Sequence, residues 1–211
     1  MKLFAISIFC FLCLLAIGIG IRLQSQDKGP APSPIHSPAQ SNIGRYKKLW
    51  LKAAEARTFV EKNNCSKEFC FLIDMSLPSG QKRFFVYDLN KDSIRASGLV
   101  SHGSCNQEWL EGRKYGNEPG CGCTSLGRYK TGYAYTGRFG RAFKLYGLDK
   151  TNDKAFARFV VLHAHNCVPE EEVTDEICQS NGCPMVAPGY LLRLEAMINT
   201  SNKPVLLWIF Q

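Results

Sequence analysis

The sequence predicts a mainly β domain with one helix before it and a second, short helix near its C-terminus. Two observations carry this prediction. Short runs rich in aromatic and β-branched residues recur between turns of Gly, Pro, Asn and Asp, and helical periodicity is confined to two places. Composition sets the bounds: with 211 residues, 45% hydrophobic and 21% charged, the chain has room for one globular domain and an appendage. Whole-chain disorder and a large multidomain machine are both excluded.

The appendage comes first. Residues 3–21, LFAISIFCFLCLLAIGIGI, carry no charge and are long enough to cross about 30 Å of hydrocarbon as a helix. No small-x-small cleavage site follows closely and Arg22 comes straight after, so residues 1–24 read as a retained signal anchor, with a cleaved signal peptide as the alternative. Either way the remainder is exported, and the expectation is a periplasmic domain anchored to the inner membrane. Neither Cys10 nor Cys13 is preceded by the small residue that lipid attachment needs. Residues 25–44 read as a proline-rich linker, poor in large apolar side chains and therefore an extended spacer in which His36 is simply solvated. The folded domain is expected over residues 45–211.

Within the domain, residues 43–62 read as a helix, with Leu49/Trp50, Ala53/Ala54 and Phe59/Val60 recurring between charged residues. From Phe69 the pattern changes to strands. CFLIDMS is mostly apolar, 77–80 is turn chemistry, 83–89 is aromatic and β-branched, 90–92 turns again, and 93–101 is a third strand. After a stretch rich in Gly, Cys and Asn, β-prone runs follow at 128–135, 141–146 and 158–163, a helix at 188–198, and a last apolar run at 204–210. Net charge is +8, yet no block of five basic residues occurs, so no nucleic-acid partner is expected and an anionic envelope polymer suits the charge equally well. Nothing in the pattern fixes an oligomeric state.

The residues able to do chemistry lie in the C-terminal third. VVLHAH ends an apolar run with His163 and His165, and SNGCP follows at Ser180 to Pro184. A nucleophilic cysteine needs a base within hydrogen-bond reach and donors for the oxyanion formed at the attacked carbonyl. Histidine titrates nearest neutrality, and Gly182 lets the backbone approach a substrate, so that the Gly182 and Cys183 amides can donate. On these residues alone, a buried or disulfide-bonded cysteine beside an unrelated histidine is the simpler explanation of the pattern.

The order of segments goes further. A strand hairpin, Val-Ser-His102-Gly, Thr-Ser-Leu-Gly-Arg-Tyr129, an apolar strand ending in His163, then Ser180-Asn181-Gly182-Cys183-Pro184 resembles the catalytic domain of the murein L,D-transpeptidases, the YkuD-like family, in its Ser-x-Gly-Cys-Pro subgroup. The likeness runs from about Tyr46 to the C-terminus. It implies a β-sandwich in which Cys183 attacks a peptidoglycan stem peptide to form a thioester, and an amine completes a 3→3 crosslink. Water as acceptor gives an L,D-carboxypeptidase, and a non-catalytic peptidoglycan-binding envelope module is the other alternative. The resemblance makes His163 the base, Gly182 and Cys183 the oxyanion donors, Ser180 the residue that orients the turn, and the carbonyl near Ala164 the holder of the imidazole tautomer. His165, Asn181, Tyr129 and His102 are the expected substrate-binding residues, although His102 also reads as a surface-turn histidine and His165 competes with His163 as base. No metal or organic cofactor is needed for this chemistry.

Three departures from the family pattern stand out. Asn181 occupies a position often held by His, Ala164 one commonly held by Gly, and Pro184-Met185 replaces an apolar-Arg pair, which leaves recognition of a donor carboxylate without its usual cation. Seven further cysteines follow residue 60 besides Cys183, and export should oxidise some of them. Cys167–Cys178 is the preferred bridge and Cys65–Cys70 another candidate. Cys121-Gly-Cys123 with Cys105 also raises zinc, but C-x-C lacks the paired knuckles of a zinc site. The aromatic residues between Trp109 and Phe143 read mainly as core, and Glu170 to Glu172 as solvated loop charge.

Overall fold

The structure, a computed structural model, describes residues 38–211. The expected anchor at 1–24, most of the 25–44 linker, Cys10, Cys13 and His36 lie outside the described residues. Among the described residues no helix is long and apolar enough to cross a membrane.

Helix α1 (Pro38–Lys62) starts ahead of the expected residue 43 and takes in the end of the linker. Proline is tolerated in a first helical turn, where its missing N–H has no helical partner, and no further proline interrupts the segment. Leu49, Ala53, Ala56 and Val60 recur at three and four residues and are buried, while Trp50 faces solvent. The helix ends where the Asn63 amide donates to the Phe59 carbonyl, satisfying one of the orphaned groups of the last turn. Its buried stripe packs on Cys70, Leu72, Phe85, Tyr87 and Leu206. Each fully buried Leu or Val there contributes roughly 1.5–3 kcal/mol.

Those partners lie on one face of an eight-stranded mixed sheet built from β1 (Phe69–Asp74), β2 (Phe84–Asp88), β3 (Ser93–Gly98), β4 (Gly127–Gly137), β5 (Gly140–Gly147), β6 (Val161–Ala164), β7 (Met185–Val186) and β8 (Leu206–Phe210). The order is β3-β2-β1-β8-β4-β5-β6-β7, with β1–β8 and β6–β7 parallel and the other pairs antiparallel. On the other face of β1, Phe69, Phe71 and Ile73 join Phe84, Tyr129, Phe143, Leu145 and Leu162 in the main core. Helix α2 (Pro188–Thr200) contributes Tyr190, Leu191 and Leu194, and the Tyr190 hydroxyl donates to the Phe84 carbonyl at 3.1 Å. Because β1 is covered on both faces, its sequence reads as a continuous apolar run.

The two edges of the sheet meet. Val100, just after β3, bridges Val186 of β7, and the Ser101 amide donates to the Met185 carbonyl at 2.9 Å. This closure wraps the sheet around its core in the sandwich-like manner expected, with a helix before it and a short one near the end. Two expectations are corrected. Cys65 and Cys70 are free thiols buried under α1, not a bridge. The expected strand 158–163 is a turn through Phe159, closed by Val160 N–H to Ala155 O, and β6 starts only at Val161.

Candidate active site

Parallel pairing of β6 with β7 places His163 opposite Met185 and Ala164 opposite Val186. Cys183 lies two residues before Met185, and His165 directly follows the strand that carries His163. They open into one cleft of about 220 Å³, lined also by Phe139, Gln179, Ser180 and Asn181. The Phe139 ring, at the tip of the β4–β5 hairpin, stacks on the His163 imidazole with centroids 4.9 Å apart.

The turn that carries Cys183 is fixed by its own residues. The Ser180 hydroxyl accepts the Gly182 amide at 3.0 Å and donates to the Cys183 carbonyl at 2.7 Å. Ser180 itself is held between neighbours: its amide donates to His102 O, and its carbonyl accepts the Ser104 amide, both at 2.8 Å. Gly182 has φ +106°, and a Cβ there would lie 2.6 Å from the Cys123 carbonyl oxygen, so both conformation and space demand glycine. The Gly182 amide, expected as an oxyanion donor, is therefore already committed to Ser180. Among the described residues the Cys183 amide donates to no acceptor.

Hydrogen bonding fixes both imidazole tautomers. His163 Nδ1 lies 3.0 Å from the Ala164 carbonyl, which can only accept, so Nδ1 carries the proton and Nε2 keeps its lone pair. His165 is the reverse: its Nδ1 accepts the Cys167 amide at 3.2 Å, which puts the proton of the neutral ring on Nε2. Only His163 thus presents an accepting Nε2. Burial lowers the His163 pKa below its ordinary value, partly offset by the Ala164 hydrogen bond, and burial raises that of Cys183 against the Val161 amide and the Arg158 charge.

Two expected substrate contacts are not in the cleft. Tyr129 is fully buried on the core face of β4, where its hydroxyl donates to the Ser125 carbonyl at 2.6 Å. His102 is buried, not a surface-turn residue. Its Nδ1 accepts from Arg83, and burial, reinforced by Arg83 and Arg113, lowers its pKa to about 4. Its contribution to the site is the backbone carbonyl that holds Ser180.

The surrounding loops are tied down. Cys167–Cys178, as expected, closes the segment between the histidines and the nucleophile. Glu170, Glu171 and Glu172 are paired, not merely solvated: Glu170 accepts the Gly189 amide, Glu171 pairs with Lys82, and Glu172 accepts the Lys82 amide. Cys105 and Cys123 form a second disulfide, which consumes two of the thiols that raised zinc. Sequence reasoning missed Arg158, whose guanidinium donates to Gly116 O, Ser125 Oγ and Cys123 O behind the nucleophile turn. A lone arginine in an apolar run carries no sequence signal. Phe139 stood out only as one aromatic among several.

Cys183 and His163 line one cleft, and they are the residue types that cysteine–histidine acyl transfer uses. Comparison with known proteins agrees: a family model for the L,D-transpeptidase catalytic domain, YkuD type, matches residues 41–210. The chain belongs to that family. A crystal structure of an L,D-transpeptidase from Xylanimonas cellulosilytica DSM 15894 aligns with 70% of this chain and 63% of its own, at 12% identity and a TM-score of 0.36. The alignment thus spans less than two thirds of that chain. No curated protein matches.

Proposed function

We propose that the protein is an L,D-transpeptidase in which Cys183 acylates itself on the third residue of a peptidoglycan stem peptide. The observation that supports this reading is that Cys183 and His163, whose Nδ1 is held by the Ala164 carbonyl, line one cleft beside the paired β6 and β7. His163 takes the thiol proton as the sulfur attacks the carbonyl carbon. The Cys183 amide donates to the oxyanion. On collapse, the C–N bond to D-alanine breaks, the proton held on Nε2 passes to the leaving amine, and a thioester remains. An amine from a second stem then attacks the thioester, gives its proton to His163, and releases Cys183 with a 3→3 crosslink. Ser180 and Gly182 shape the turn, while Asn181 and His165 line the substrate path. The reaction belongs outside the cytoplasm, with residues 3–21 as the export element.

The test is mass spectrometry of the products after incubating the full chain with disaccharide tetrapeptide, beside Cys183→Ala. Dimers joined 3→3 only with Cys183 present are expected. Tripeptide alone would make the protein an L,D-carboxypeptidase, and no turnover by folded, reduced protein would contradict acyl transfer.

A further inference from the structure

The thiol of Cys183 is enclosed from behind by the turn before β6. Its sulfur lies 3.8 Å from the Phe159 carbonyl oxygen, the acceptor an S–H would use. Phe159 has φ +57° while its side chain is 75% exposed, so a bulky residue is held in the left-handed region with little packing to compensate. Strain of this kind persists where surrounding bonds impose it, and here they do: Arg158 N–H bonds to Lys154 O, Phe159 N–H to Phe156 O, and Val160 N–H to Ala155 O. The result aims the Phe159 carbonyl at the sulfur.

Arg158 completes the enclosure. Its Nη1 donates to Gly116 O and Ser125 Oγ, both at 2.9 Å, and its Nη2 to Cys123 O at 2.6 Å. Nη2 would also lie 3.2 Å from a Cβ built on Gly182, next to the nucleophile. Nε is buried and has no acceptor among the described residues, so the charge is not neutralised by any carboxylate bonded to it. The charged or titratable groups around Cys183 are Arg158, Tyr129 from β4, whose hydroxyl is committed to Ser125, His163 from β6, and His165 just after it. Arg158 is the permanently charged cation of that set.

We infer that Arg158 is a positioning residue for the nucleophile: it clamps the turn so that Cys183, having lost its proton to His163, is held as a thiolate beside the guanidinium and the Val161 amide. The inference rests on the assignment of Cys183 as nucleophile. In the thiol state the sulfur donates to Phe159 O. Once the proton has passed to His163 Nε2, that carbonyl no longer has a partner, and the Val161 N–H and the Arg158 charge take over the stabilisation of sulfur. The cation is fixed by protein acceptors and so is present before substrate arrives.

The test is the pH profile of Cys183 alkylation by iodoacetamide in the full chain, quantified on the peptide that carries Cys183 so that Cys65, Cys70 and Cys121 do not contribute. Thiolate is the reacting form, so at pH 8 Arg158→Gln is expected to react about three- to tenfold more slowly, with its midpoint moved to higher pH, and Arg158→Lys to restore most of the rate. An unchanged midpoint in folded Arg158→Gln, with both disulfides intact, would overturn the inference. Should Arg158→Gln fail to fold, Ser125→Ala decides, since it removes one anchor and leaves the charge: a raised midpoint is expected and an unchanged one overturns it. No peptidoglycan is involved, so a shifted midpoint in a chain that makes no product would contradict only the proposed function.

Discussion

Cys70 and Cys183 are both cysteines with raised pKa, in two regions built on different principles. Cys70 sits in β1 under α1, fully buried among aliphatic and aromatic side chains, and burial pushes its thiol up to about 12. Cys183 sits on a two-bond serine turn before a two-residue strand, where burial also raises its pKa but the Val161 amide and Arg158 oppose it. The first region is held by periodic packing, the second by hydrogen bonds, two disulfides and left-handed residues. Reactivity therefore follows from what stands beside the sulfur and not from burial alone.

The sharpest break of the comparison exchanges the two thiols' fates. Cys183→Ala should abolish product formation with an unchanged thermal midpoint. Cys70→Ala should leave product formation intact and lower unfolding free energy by about 1 kcal/mol, measured by urea denaturation.

The two histidines come next. His163→Gln should cut kcat/KM by about 10²–10⁴, whereas His165→Gln, which removes no accepting Nε2, should cost under about tenfold. Steady-state kinetics on tetrapeptide separates them. Equal losses would contradict the tautomer assignment.

Glycines sharpen the contrast between site and surface. Gly182→Ala meets Cys123 O and keeps a positive φ, so it should lose turnover and about 1–3 kcal/mol of stability. Gly112, with φ +69° and nothing within 4 Å of an added Cβ, should lose about 1 kcal/mol as Gly112→Ala and keep its turnover.

The smallest effect is on pH. His163 and His102 have folded pKa values below their unfolded ones, so the unfolded chain binds more protons as pH falls through about 6.5, and stability should fall with it. For His102 the loss is complete near its folded value of about 4. Urea midpoints at pH 7 and pH 5 should differ in that direction, and His102→Asn should shrink the difference. Turnover should show its acid limb below 6.5, because His163 must be neutral to accept a proton.

The comparison also explains what could be read from sequence. Around Cys70 the apolar spacing of Leu49, Ala53 and Val60 announced a helix, and the apolar run of β1 announced a strand; that the one covers the other emerges only from the fold. Around Cys183 the Ser-x-Gly-Cys turn and the strand histidines were legible, because each residue type performs a local task. Strand β7 was not, being two residues long and defined only by its partners. Tyr129 and His102 were expected to bind substrate, but both are buried, Tyr129 bonded to Ser125 and His102 to Arg83. Arg158, Phe159 and the Cys105–Cys123 bridge act through contacts distant in sequence, which spacing does not encode.

The most direct test of the central claim is the mass of the acyl-enzyme. The full chain, incubated briefly with disaccharide tetrapeptide and quenched in acid, should gain the mass of the donor less D-alanine. Peptide mapping should place the adduct on Cys183, and Cys183→Ala should show none. An adduct on another residue, or product formed while Cys183 stays unmodified in a disulfide, would contradict the account.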